Sequence, residues 1–300
     1  MIKTDHSVIN AQKIGYIAKD ILQNSGSSLM IHSIFEHAVN LVDSSDWMIT
    51  LLPDNYSWGP QVVILSQRDF AKFKDMGLKA MDIFNFRQLI NTKEAQITYK
   101  KSIDKSISKD INKIEKNKLY FESLLCQKGN KNGLLGSDNI YSRYAAPKLK
   151  EFQILFYQQE FEEAGKKLLE LIGLGPGLTP SGDDFVLGIF AAFYSIGLKT
   201  HIILKLKDII IQNAKQKTNI ISYNMLRQGA MGGFIKWVED MANALIYEDS
   251  EEIEAAFSKM LQIGSSSGSD ISAGILFGLT MYGDTPLKAG IPRCGMSPAL

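Results

Sequence analysis

Leu171-Ile-Gly-Leu-Gly-Pro-Gly-Leu-Thr-Pro-Ser-Gly-Asp-Asp-Phe185 is the stretch on which the reading of this chain turns. Gly173, Gly175 and Gly177 stand two apart. Glycine permits positive φ and close approach of backbone to a ligand, while Pro176 and Pro180 stiffen the loop by fixing φ. Ser181 then reads as an N-cap, with Asp183 and Asp184 in the first helical turn. Phe185 to Leu198 continues as an apolar run broken by Gly188, Ser195 and Gly197. It falls short of the ~20 residues a membrane span needs, so it predicts a buried helix.

Amides exposed at a helix N-terminus favour an anion such as phosphate or carboxylate. Two aspartates suit the helix dipole but repel a bare anion. Mg²⁺ bound through one or two carboxylates together with substrate phosphate would resolve that conflict. Alternatively, an aspartate ties the loop amides together, or the whole feature is a helix cap with a tight turn. The loop is not a Walker loop, which ends in Gly-Lys-Ser/Thr, and it follows no clear strand as a dinucleotide fingerprint does.

A shorter echo stands at Gly264-Ser-Ser-Ser-Gly-Ser-Asp-Ile-Ser-Ala-Gly274. Laying Ser181-Gly182-Asp183-Asp184 over Ser267-Gly268-Ser269-Asp270 puts Gly188 on Gly274, and both segments run on into apolar helices. This predicts two similar loop-to-helix junctions whose helix N-termini point into one cleft, with Gly188 and Gly274 letting the helices pack closely. Thr218 and Ser222 are spaced i, i+4 and share a helix face. Their hydroxyls meet the cleft or cap a helix. The residues singled out are Asp183, Asp184 and Asp270 as catalytic, with Asp183 and Asp184 as ligands for Mg²⁺. Gly175, Gly177, Thr179, Ser181, Gly182, Thr218, Ser222, Ser267 and Gly268 are singled out for substrate binding. Arg227 and Lys236 are the candidate counter-charges.

Around this centre the fold class reads as α+β: a β-containing N-terminal region followed by a mostly α-helical C-terminal region. Trp47 to Leu52 and Gln61 to Leu65 read as strands, with turn chemistry at Pro53-Asp54-Asn55. Ile31 to Val39 is undecided by period. A helix from Ser66 or Arg68 towards Met76 stops at Gly77. Ile103, Ile107, Ile111 and Ile114 suggest an exposed amphipathic helix within the lysine-rich stretch 92–117. From residue 148 the pattern is helical, at 152–171, 185–196, 202–214, 220–231, 234–244, 253–263 and 271–281. The expected divisions are a mixed α/β region 1–147, a helical domain 148–285 and an irregular tail 286–300.

The chain has 300 residues, 45% hydrophobic and 22% charged, as in ordinary globular domains. The 33 basic and 32 acidic residues give a net charge of +1, which offers no case for nucleic acid or an acidic membrane surface. Cys126 and Cys294 lie far apart without metal-ligand spacing and suit free thiols in a reducing cytoplasm. The N-terminus lacks the apolar core of a signal peptide. His32, His37 and His201 show no metal-ligand pattern, and no Gly-x-Ser-x-Gly elbow occurs.

The stretch 173–188 resembles the signature of the AllH family: Gly-x-Gly-x-Gly-Leu-Thr-Pro-Ser-Gly-Asp-Asp, then an apolar helix. His32-Ser33 with Phe35, Gly59-Pro60, Thr218 with Ser222, and Ser267-Gly268-Ser269-Asp270 resemble further family positions. Where relatives carry a His-Ser-Gly type sequence, this chain has Ser266-Ser267-Gly268. The resemblance implies a subunit of oxamate carbamoyltransferase, in a complex with two other subunit types, in anaerobic allantoin (purine) breakdown. It implies interconversion of oxalurate with oxamate and carbamoyl phosphate, with magnesium as a reasonable cofactor. The competing expectation is a non-catalytic anion-binding or assembly subunit of such a complex.

Overall fold

The computed structural model describes residues 8–24, 28–98, 109–135 and 139–282. The chain divides into two compact units, residues 1–102 and 103–300. The division expected at 147/148 falls inside a helix, at Pro147. The described part of the turn-rich stretch, 127–135, belongs to the second unit.

Among its described residues, the first unit is a mixed eight-stranded sheet with short helices. Its strands are β1 (Ile9–Gly15), β2 (Ser28–Ile34), β3 (Val39–Val42), β4 (Met48–Pro53), β5 (Val62–Leu65), β6 (Ile83–Asn85), β7 (Ile90–Asn91) and β8 (Gln96–Thr98). The sheet order is β6-β2-β3-β4-β5-β1-β7, with β8 also on β1. The undecided stretch 31–39 is the end of β2 and a tight reversal into β3, closed by Phe35 N–H on Ala38 O at 2.7 Å. β4 and β5 run parallel, so the turn at Pro53 opens a crossover rather than a hairpin. Val39, Leu41, Ile49, Leu51, Val63 and Leu65 are wholly buried and form one core face of alternate positions. Helices α1 (Tyr16–Asn24), α2 (Gln67–Lys74) and α3 (Phe86–Leu89) complete the unit. Ser66 caps α2 by accepting from Asp69 N–H, close to where Ser66 and Gly77 placed that helix.

The second unit is all helical among its described residues. It comprises α4 (Ile111–Lys128), α5 (Ile140–Tyr157), α6 (Phe161–Leu169), α7 (Ser181–Ser195), α8 (Thr200–Asn213), α9 (Ile220–Ala230), α10 (Lys236–Tyr247), α11 (Ser250–Met260) and α12 (Ser267–Leu279). The helix expected over 152–171 is two helices. Gln159 takes φ +63°, and Glu160 N–H returns to Leu155 O, which ends α5 and turns the chain into α6. The expected exposed isoleucine-rich helix within 92–117 overlaps residues outside the described set; of its described parts, Gln96–Thr98 is strand β8, and Ile111 opens α4, where Ile114 is buried rather than exposed. The tail 283–300 and Cys294 also lie outside that set. Cys126, in α4, is disulfide-bonded, which corrects the expectation of a free thiol there.

Helices α7 and α12 are buried on every side and form the centre of this unit. A Cβ on Gly188 would lie 2.1 Å from Ile271 O, and one on Gly274 would lie 2.0 Å from Phe185 O. One on Gly278 would meet Ala192 Cβ at 2.7 Å. These contacts advance together along both chains, so the two helices run parallel, backbone against backbone. Replacing Gly188 with Ala drives a methyl group into a backbone carbonyl and forces the helices apart. Chemical denaturation of that variant should show a loss of about 2 kcal/mol or more.

Candidate functional site at the paired helix N-termini

Two parallel central helices must begin side by side, and the geometry there is reciprocal. Asp184 accepts hydrogen bonds from the side chains of Ser267 and Thr179. Asp270 accepts from the side chains of Ser181 and Ser266 and from Leu134 N–H at 2.7 Å. The first serine of each helix therefore serves the aspartate one turn into the other. Thr179 and Ser267 also touch, Oγ1 to Oγ at 2.8 Å. Ser181 was expected to cap its own helix; Pro180 occupies the cap and Ser181 reaches across instead. Ser266 also bonds Asp270.

The starts of α7 and α12 are built alike. Gly182 N–H donates to Leu174 O at 2.8 Å, and Gly268 N–H donates to Ile263 O at 3.0 Å. A Cβ on Gly182 would meet Leu171 O at 1.9 Å, and one on Gly268 would meet Met260 O at 1.7 Å. These glycines were expected among the substrate-binding residues, Gly182 as a backbone donor. Both amides are bonded within their own loops, and both glycines are needed for close passage of the chain. Gly182 lies eleven positions after Leu171, and Gly268 lies eight positions after Met260. The first loop is therefore longer by three. Gly175 and Gly177 lie in that longer loop with φ of +113° and +99°, and Gly177 and Leu178 are exposed.

Asp183 has a different duty. Gly173 N–H donates to its Oδ1 at 2.6 Å, while the Thr218 and Ser222 hydroxyls donate to its Oδ2. Thr218 precedes the Asn219 cap of α9 rather than sharing its helical face, yet both hydroxyls reach the same carboxylate. The Asn219 side chain caps α9 and also donates to Leu178 O at 2.7 Å. The N-terminus of α9 thus joins those of α7 and α12 around the loop 173–180.

Asp183, Asp184 and Asp270 are all buried. The expected open cleft between the helix N-termini is, at the carboxyls, a closed polar seam. Burial raises Asp183 above the usual carboxylate range, with its three donors pulling the other way. Burial pushes Asp184 far up, and the nearby negative charge of Asp270 adds to this. Burial pushes Asp270 up to about 6, against hydrogen bonds that favour its charged form.

Three of the four lone-pair directions of Asp183 are taken by donors, so it is ill suited to hold a cation and well suited to fix the loop. Asp184 and Asp270 each keep one buried oxygen, Oδ2, without a partner. Among the described residues, no group of three or more His, Cys, Asp or Glu could hold a metal. The expected counter-charges are engaged elsewhere. Lys236 pairs with Asp240 one turn along its own helix. Arg227 donates to Asn224 and lies over the Tyr223 ring, 5.2 Å from its centroid.

Sequence reasoning missed the segment 130–134. Asn130 N–H donates to Ser269 Oγ at 2.9 Å, Leu134 N–H holds Asp270, and Gly133 lies against the Asp270 carboxylate. The turn chemistry of 127–138 was visible, but nothing in the spacing ties it to a helix N-terminus 136 residues away. In the first unit, His32 Nδ1 lies 3.1 Å from Ser33 Oγ, which accepts from Asn40. The Gly59 and Pro60 carbonyls pack against Gly15.

This arrangement defines a class before it defines a family: an α+β protein whose helical unit begins two parallel central helices at one shared polar seam. Residues 6–109 match the AllH family N-terminal domain, and residues 171–279 match the family described as oxamate carbamoyltransferase subunit AllH. The chain belongs to the AllH family. No solved structure matches it. No described helix is long and apolar enough to cross a membrane.

A carboxyl whose folded pKa lies above its unfolded value stabilises the fold most when protonated. The contribution of Asp270 is therefore complete below about 3.8 and is lost as pH rises through about 6. In metal-free buffer, urea denaturation should show stability falling over that window by roughly 2 to 3 kcal/mol. Asp270→Asn, which keeps an acceptor for Leu134 N–H, should make the fall shallower, leaving the part that the raised Asp183 and Asp184 contribute. An unchanged slope would show that Asp270 does not titrate there.

Proposed function

We propose that this chain is a subunit of a carbamoyltransferase acting on oxamate or oxalurate and carbamoyl phosphate in allantoin catabolism, as part of a cytoplasmic complex with sister subunits. Membership of a family described as a carbamoyltransferase subunit supports the reaction class. The observation that carries the site is the convergence of three helix N-termini on the loop 173–180. Helices α7, α9 and α12 all present their positive ends there. Carbamoyl phosphate and oxamate are small anions, and such ends attract anions.

On this reading the exposed turn at Gly175–Leu178 receives the anion. Gly177 has open space where a side chain would stand, its nearest neighbour being Thr179 O at 3.9 Å. Thr179 lies half-buried between this turn and Ser267 and offers a hydroxyl to an anion oxygen. Asp183 holds the loop in register with α9, a positioning duty. Fixed donors would then stabilise charge that develops on the carbamoyl oxygen, and holding two anions together supplies much of the rate.

A second reading is favoured by the burial of all three aspartates: the chain binds the anion and positions it while sister subunits supply the reacting groups. Calorimetric titration with carbamoyl phosphate, followed by oxalurate phosphorolysis in the reconstituted complex, separates the two. Both readings expect binding, weakened about tenfold or more by Gly177→Val through backbone strain and bulk at a φ of +99°. The first expects Asp184→Asn to abolish turnover with binding retained, whereas the second expects turnover to survive. No binding to the chain, alone or in the complex, removes both.

A further inference from the structure

Buried carboxylate oxygens without partners are costly, and native proteins leave few of them. This protein leaves two at one place: Oδ2 of Asp184 and Oδ2 of Asp270, on residues 2% and 0% exposed. The charges that act on Asp184 are those of Asp270 and Asp183, both negative. The hydroxyls of Thr179, Ser181, Ser266 and Ser267 bond these carboxyls from the same seam. The result is a buried oxygen-only cluster of two carboxyl groups and four hydroxyls, with two unpartnered carboxyl oxygens. That set contains no nitrogen or sulfur donor, which suits a hard cation rather than zinc or copper. Serine and aspartate spacing is duplicated at the two helix N-termini, so the ligands would be offered from both sides.

We propose that Asp184 and Asp270, not Asp183, hold a divalent hard cation of the Mg²⁺ or Mn²⁺ type between the first turns of α7 and α12. Two carboxylates leave coordination positions for water and for an oxygen of an anion at the turn 175–178, the last of these resting on the functional reading above. The cation replaces the missing partner of each Oδ2 and offsets the repulsion between the two acids. Asp183 stays outside the shell because its donors already occupy it.

The test uses the full chain and Mn²⁺ alone, with binding followed by electron paramagnetic resonance and by broadening of amide NMR signals. One Mn²⁺ per chain is expected, displaced by Mg²⁺, with broadening centred on the amides of Leu134 and Gly268. Asp184→Asn and Asp270→Asn should each weaken binding by at least about tenfold. Absence of binding to the folded wild-type chain, or broadening centred elsewhere, overturns the proposal without any variant having to fold. Undiminished affinity in both folded variants overturns it equally. Carbamoyl phosphate is titrated in parallel with EDTA present. Anion binding without Mn²⁺ binding defeats this proposal alone, and Mn²⁺ at the seam without anion binding in either condition defeats the functional reading alone.

Discussion

Backbone contact between α7 and α12 at Gly188 and Gly274 constrains the rest of the helical unit. Without side chains between them, two parallel helices bring their positive ends side by side. Like ends repel, and the repulsion grows as the axes approach. Asp184 and Asp270, one turn into each helix, place carboxyl groups where that repulsion is greatest. The reciprocal serines then hold each carboxyl on the neighbouring helix rather than on its own. Close packing, dipole compensation and cross-bonding are therefore one arrangement, and loosening any part of it loosens the others.

Stability alone is a poor reason for such an arrangement. Buried acids are expensive to desolvate, and replacing a buried charged cluster with apolar residues is often neutral or favourable. The neighbouring apolar core, from Phe185 through Phe193 and Ile271 through Leu279, is already wholly buried. A core of that quality does not need three aspartates at its end. Asp183 has a visible structural use, since it joins Gly173, Thr218 and Ser222. The other two acids show less complete satisfaction, each keeping one buried oxygen without a partner.

The loop and its echo were legible because each motif is local: small residue, glycine, acid, glycine, at fixed offsets before an apolar run. Their pairing was legible because the offsets agree. The α+β class was legible too, since strand and helix periods differ along the chain. What stayed hidden was non-local. The exchange of serines between helices cannot be told from self-capping by spacing, because Ser181 can satisfy either Asp184 or Asp270 from the same position. Gly182 and Gly188 look equally suited to a ligand or to a neighbour, and in both cases a neighbouring backbone claims the space. The clamp by Leu134 on Asp270 depends on a segment that sequence marks only as turn-rich.

The departure from symmetry is as informative as the symmetry. Each helix start carries serine, glycine and a buried acid, but their surroundings differ. The start of α12 is held down by Asn130 and Leu134, with Gly133 against the acid. The start of α7 instead carries a loop three residues longer, with three glycines at positive φ where the other loop has one, Gly264, and a surface turn. A duplicated scaffold that closes one helix start and elaborates the other separates two tasks. One half anchors the seam, and the other leaves a glycine-rich turn exposed at the surface. If the seam served only to join two helices, either start could carry the insertion. Its place beside the α9 N-terminus, with Asn219 on Leu178 and Thr179 on Ser267, puts the exposed turn where three positive helix ends meet.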